Sequence, residues 1–185
     1  MMNAPVDVTD VRIETDRLIL RPWQTSDLQD LYEYASIDGV GQMAGWMPHQ
    51  SIDESRSILQ MFIDHKKTLA LELKENGKVI GSLGVEKTKD SQEVPEDLLG
   101  REIGYVLSKA YWGRGLMPEA VKAVVRYCFD ILHFDYLTCA HFMRNHQSRR
   151  VIEKSGFTFL KEVQHETRYG SVEDTMLYIQ YNPRK

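Results

Sequence analysis

The chain has 185 residues, 42% of them hydrophobic and 27% charged, with a formal net charge of −4. That balance predicts one globular domain over residues 1–185 with a substantial core. It argues against bulk attraction to nucleic acid or to an anionic membrane, and no run approaches the ~20 apolar residues of a membrane span. Residues 1–10 lack an apolar signal core and carry Asp7 and Asp10, so no secretory signal is expected. Cys128 and Cys139 sit in apolar runs. They read as buried thiols in a reducing, cytoplasmic setting, not as a disulfide or a zinc site.

In chain order, Val11 to Arg21 alternates as a strand closed by Pro22. Ser26 and Asp27 open a helix with Leu28, Leu31 and Tyr32 on one face. Residues 37–50 read as a loop around Met43, Trp46 and Met47. Ser51 followed by Glu54 has the spacing of a capping box and starts a second helix, carried by Ile58, Leu59 and Phe62. Leu69, Leu71 and Leu73 alternate as a strand, Asn76-Gly77 is a favoured two-residue hairpin turn, and Val79 to Val85 returns. Residues 87–100 are polar and acidic, which predicts an exposed loop, and a central strand follows over Glu102 to Leu107. A helix from Pro118 to about Leu132 places Val121, Val124, Val125 and Cys128 on one face. Tyr136 to Phe142 is a further strand. Asn145 caps a short helix that ends at Lys154-Ser155-Gly156, and two antiparallel strands close the chain. The order predicts an α+β fold, a mixed sheet flanked by helices.

The turn Trp112-Gly113-Arg114-Gly115-Leu116-Met117 joins the central strand to the Pro118 helix. Proline suits the first helical position, which makes Met117 the expected N-cap. Methionine has no oxygen to accept the free amides of the first turn. Free amides, the positive dipole end and two glycines together make an anion site, so a phosphate-bearing ligand is expected to cap this helix. The alternative is a helix that starts a residue away and is capped by water. Rival motifs fail. A dinucleotide fingerprint lacks its third glycine at Pro118, a P-loop lacks Lys-Ser/Thr after Gly115, and no histidine pair has zinc spacing.

Two motifs in order resemble the GNAT superfamily of acyl-CoA N-acyltransferases. They are Trp112-x-x-Gly115-x-Met117 after one strand and Asn145-x-x-Ser148-x-x-Val151-x-Glu153-Lys154-x-Gly156-Phe157 after the next. Their pairing is similar to the ribosomal-protein N-terminal acetyltransferase (Rim-type) branch. The resemblance runs from Arg17 to the closing hairpin. It implies a GNAT fold with a mostly antiparallel sheet of about seven strands, splayed in the middle, and about four helices.

The resemblance also implies roles. Backbone amides of Gly113, Arg114, Gly115, Leu116 and Met117 would hold the pyrophosphate of acetyl-CoA, the cosubstrate. The backbone near Val106 and Leu107 would bond its acetyl and pantetheine portion, with Tyr136 to Phe142 as the other lip of the cleft. Asn145 would bind the pantetheine arm and Ser148 would lie near the sulfur. Many relatives place a proton-donating tyrosine where this chain has Ile152, so Ser148 would donate to the thiolate or no donor is needed. Glu102 is the candidate base for the attacking amine, with a purely structural carboxylate as its rival reading. Arg144, Arg149 and Arg150 would reach the nucleotide phosphates or form a solvated face. No metal is expected. The implied reaction is acetyl transfer to a primary amine, a protein N-terminus or a small molecule, by a monomer or homodimer; the alternative is a catalytically silent coenzyme-binding module.

Overall fold

The computed structural model describes residues 2–88, 94–95 and 97–185, so the loop expected over residues 87–100 lies in part outside the described residues. Among the described residues nine strands pair in one sheet: β1 (Met2–Asn3), β2 (Ile13–Glu14), β3 (Leu18–Pro22), β4 (Thr68–Leu73), β5 (Lys78–Glu86), β6 (Leu99–Leu107), β7 (Tyr136–Phe142), β8 (Thr158–Glu166) and β9 (Val172–Tyr181). The strand order is β2-β3-β4-β5-β6-β7-β9-β8, with β1 alongside β6. Only β6–β7 and β1–β6 are parallel. The helices are α1 (Leu28–Ala35), α2 (Ile52–His65), α3 (Leu116–Asp130) and α4 (His146–Lys154). This is the expected mixed α+β sheet. Its extra strands over the seven expected are the two-residue β1 and β2.

Local chemistry explains the boundaries. Ser51 accepts from the Glu54 amide at 3.2 Å, but the Glu54 carboxylate takes the Gln50 amide, so only half the capping box forms. The expected 11–21 strand is two strands. Thr15 donates its amide to the Leu18 carbonyl at 3.0 Å and turns the chain back between them. The β4–β5 hairpin has a longer loop than Asn76-Gly77 alone. The Leu73 carbonyl accepts both of those amides, and Gly77 takes the left-handed conformation at φ 71°. The central strand begins at Leu99, not Glu102.

The helices cover both faces. α3 and α4 pack with Leu18, Leu69, Leu71, Leu83, Ile103 and Cys139 in the larger core. α1 and α2 pack with Trp23, Ala70, Val79 and Val106 on the opposite face. Alternation along β6 therefore sends Ile103, Tyr105 and Leu107 toward α3 and α4, and Glu102, Gly104 and Val106 toward α1 and α2.

The feature that positions the site is a split in the sheet. β6 and β7 are paired only from Gly100/Tyr136 to Ile103/Cys139. Beyond that, β6 keeps β5 as its partner to Leu107, and β7 keeps β9 to Phe142. Each lip of the gap has its own ladder behind it. The closed end is stapled by Asp135, whose Oδ2 accepts from the Leu99 amide at 2.7 Å while its own amide donates to the Leu99 carbonyl at 2.8 Å. Burial opposes ionisation of Asp135, but Lys185 and the Leu99 amide hold its carboxyl below the usual range. The Tyr136 ring lies 2.2 Å from where a Cβ on residue 100 would sit, so only glycine fits there. Asp135→Ala leaves the Leu99 amide without its acceptor. It should lower unfolding stability by about 1–3 kcal/mol, read from urea denaturation; an unchanged midpoint would refute the staple.

Candidate active site

The gap between β6 and β7 opens into a cavity of about 440 Å³. Both lips line it, through Glu102 to Leu107 on β6 and Ala140 to Phe142 on β7. The glycine turn lines one end, and Asn145, Ser148, Arg150, Val151 and Lys154 line the side toward α4.

Backbone groups on β6 divide by alternation. The Ser108 amide donates to Ile80, its opposite residue on β5, at 2.8 Å, which makes the even-numbered residues of β6 the hydrogen-bonded ones. Gly104 and Val106 therefore direct their amides and carbonyls to β5, while those of Tyr105 and Leu107 turn to the gap. The indole of Trp112 donates to the Leu107 carbonyl at 2.7 Å. Trp112 thus packs against both cores and also satisfies one of the groups that the missing ladder leaves over. A Cβ on Gly104 would meet nothing within 4 Å, because that position faces open cavity.

At the turn, the expected Met117 cap is corrected. α3 begins at Leu116, and its N-cap is Gly115 in the left-handed conformation at φ 75°. Pro118 is the third helical residue, still inside the first turn, where a missing amide costs no hydrogen bond. The helix start is displaced as in the alternative reading, and in the shifted register too the N-cap has no side-chain hydrogen bond. Among the described residues, the amides of residues 113–117 make no backbone hydrogen bond. Gly113, at φ 76°, makes the second left-handed step of the turn.

Arg17, the residue before β3, clamps this turn. Its Nη1 donates to the Arg114 carbonyl at 2.9 Å, and its Nε donates to Glu119 Oε2 at 2.8 Å. Glu119 also accepts from the Thr15 hydroxyl and the Arg17 amide, at 2.6 and 3.0 Å. Burial opposes its ionisation, but these donors hold the Glu119 carboxyl below its usual range. With its carbonyl held by Arg17, Arg114 stacks over Tyr111 and is not among the lining residues. Gly113, Gly115, Leu116 and Met117 all line the cavity.

Asn145 caps α4 by accepting the Ser148 amide at 3.0 Å, and its Nδ2 donates to the Met43 carbonyl at 3.3 Å. Of the three arginines, only Arg150 lines the cavity. Arg149 pairs with Glu153 at 2.8 Å, and Arg144 pairs with Glu173 at 3.0 Å while donating to the Gln42 carbonyl at 3.1 Å. Arg144, Asn145 and the Arg168 amide, which donates to Gly45 at 2.9 Å, tie a 3-10 turn at Gly41–Ala44 over the cavity. Val40, Met43, Ala44, Phe142 and His165 line that side.

Two lining residues went unnoticed in the sequence. Lys154 adds a cation near α4. Tyr105 looks like an ordinary apolar strand residue, yet its hydroxyl lies 2.8 Å from Ser148 Oγ. Burial pushes the Tyr105 phenol well above its ordinary pKa. His141 is buried, its Nδ1 lies 2.8 Å from the Phe142 carbonyl, and burial lowers its pKa, which favours the neutral ring. Ile152 is fully buried and turned into the core. Among the described residues no cluster of His, Cys, Asp or Glu could hold a metal ion, and no helix is long and apolar enough to cross a membrane.

The chain is 27% identical over 181 residues to the uncharacterized N-acetyltransferase YoaA of Bacillus subtilis (strain 168), covering 94% of this chain and 98% of that one. The ribosomal-protein-S5-alanine acetyltransferase of Vibrio fischeri shares the fold with a TM-score of 0.72 at 22% identity, over 94% of this chain and 98% of that one. The microcin C7 self immunity acetyltransferase MccE, solved with acetyl-CoA and AMP, does so with a TM-score of 0.73 at 19% identity, over 90% and 93% of the two chains. The family model for the acetyltransferase (GNAT) domain matches residues 17–158. The chain belongs to the GNAT acetyltransferase family, and it is an acyltransferase.

Proposed function

We propose that this protein, acting as one domain over residues 1–185, transfers the acetyl group of acetyl-CoA to a primary amine by direct attack on the thioester. The observation that carries the reading is one cavity holding both an uncapped helix start and an unpaired strand gap. The residues suit the coenzyme's chemistry. The free amides of the turn and the positive end of α3 attract a diphosphate. Arg150 and Lys154 place cations on the same cavity. The gap-facing backbone of Tyr105 and Leu107 gives an extended amide-bearing chain an edge to pair with, and Asn145 stands at the gap's α4 side.

The two faces of β6 divide the chemistry. Glu102 lies on the α1/α2 face and Tyr105 with Ser148 on the α3/α4 face, with the gap between them. An amine of pKa ~8 to ~10 is mostly protonated at neutral pH and must lose a proton before it attacks. Glu102 takes that proton, directly or through water. The nitrogen lone pair then attacks the carbonyl carbon, and the C–S electron pair leaves on sulfur beside Ser148. A thiol of reference pKa ~8.5 departs readily as a thiolate.

The acceptor enters beneath the Gly41–Ala44 turn. Among the described residues, Glu102 is the only carboxylate on the cavity wall, and Val40, Met43, Ala44, Phe142 and His165 line the side beneath that turn. A wall with one acid suits an acceptor with a single amine more than a polycation. We infer a protein or peptide α-amine, as the motif resemblance to the Rim-type branch also implies. Buried Cys128 and Cys139 fit work in a reducing, cytoplasmic compartment.

Thiol release from acetyl-CoA should be fastest with peptides bearing a free N-terminus. Turnover of polyamines or aminoglycosides alone would overturn the acceptor assignment. Glu102→Gln should lower turnover at pH 7 by about 10²-fold, and raising the pH should partly restore it as the free amine supplies its own lone pair. An unaltered pH–rate profile in that variant would remove Glu102 from the role.

A further inference from the structure

We propose that Tyr105 is a positioning residue for the leaving-group step, holding the Ser148 hydroxyl so that its proton is directed at the coenzyme sulfur. The proposal rests on the acyl-transfer reading above.

Ser148 is held from two sides. Its amide donates to Asn145 Oδ1 at 3.0 Å, which fixes the backbone of the first turn of α4. Its Oγ lies 2.8 Å from the Tyr105 hydroxyl, which also reaches the Ser148 carbonyl at 3.2 Å. Both residues line the cavity. The phenol has one proton and can give it to only one of the two Ser148 oxygens; in the arrangement proposed it goes to Oγ, the shorter of the two contacts. The phenol proton then occupies a lone pair of Ser148 and leaves the serine proton free to point elsewhere. A phenol that burial keeps protonated remains a donor at every stage of turnover.

The step balances without a further reactant. The C–N bond forms and the C–S bond breaks, with its electron pair on sulfur. The amine proton resides on Glu102. The thiolate accepts a hydrogen bond from Ser148 Oγ, and Tyr105 continues to donate to Ser148. No proton leaves the phenol, so it needs no reprotonation. Ile152, on the same helix, is apolar and buried in the core, and the polar chemistry of this wall comes from β6 instead.

The test is a double-mutant cycle of Tyr105→Phe and Ser148→Ala, read by single-turnover thiol release and by calorimetric binding of coenzyme A. Tyr105→Phe should slow release about tenfold, the worth of one hydrogen bond, with coenzyme affinity changed less than about twofold. The double variant should be no slower than Ser148→Ala alone, because the two groups act as a unit. Multiplicative losses, or a Tyr105→Phe effect confined to coenzyme affinity or to thermal stability, would overturn the proposal while leaving acyl transfer standing. A second variant covers poor folding of Tyr105→Phe. 3-Fluorotyrosine at position 105 keeps the hydroxyl and makes it a stronger donor, so release should change while affinity does not; an unchanged rate overturns the proposal. A wild-type protein that releases thiol with no amine or peptide overturns the acyl-transfer reading and this one with it.

Discussion

The rest of the structure depends on an interrupted hydrogen-bond ladder. Two parallel strands that start as neighbours stop pairing after Ile103 and Cys139. A sheet tolerates this only if each lip is supported elsewhere and if the orphaned backbone groups find partners. The first condition holds, since β5 backs one lip and β9 the other. The second is met in part: the Trp112 indole takes the Leu107 carbonyl, while the backbone of Tyr105 still faces the gap. The closed end is set by Asp135 and by the Tyr136 ring against Gly100. The gap is therefore built into the fold and needs no movement to open.

A second element adds an uncapped helix start to the same cavity. A helix whose N-cap is a left-handed glycine has no side-chain cap of its own. In a helix meant only to support a core, glycine here would forgo about a few tenths of a kcal/mol relative to a capping side chain. Here the neighbouring structure holds the turn in place. Arg17 ties Arg114 and Glu119 together, and β3, which it directly precedes, lies well away from the gap in the sheet. The turn is thus held on its protein side by carbonyl and carboxylate contacts, and its amides remain available on the cavity side. The uncapped start of α3 and the edges of the split strands line one continuous cavity.

Much of this was legible in the sequence because glycine, proline and alternation are local signals. The strand and helix order, the glycine turn without a side-chain cap and the Asn145 cap could all be read from spacing. The helix start was displaced because proline is tolerated anywhere in the first turn, so Pro118 marks the turn without marking its first residue. The three arginines near α4 looked equivalent, since sequence spacing does not reveal that Glu153 and Glu173 engage Arg149 and Arg144. The Arg17–Glu119 clamp joins residues 102 positions apart and leaves no local trace. Tyr105 was hidden for a related reason: an aromatic residue in a strand is ordinary, and only the fold brings Ser148 to its hydroxyl.

The central claim is that the space between β6 and β7 receives the coenzyme. Gly104 tests it most directly, because a side chain there would project into the cavity and touch nothing else within 4 Å. Calorimetric titration of acetyl-CoA into the wild-type protein and Gly104→Val is the decisive measurement. The account predicts saturable binding to the wild type, and in the variant an affinity at least about tenfold weaker with an unchanged thermal midpoint. Equal affinity in the two proteins, or no binding to either, would contradict it.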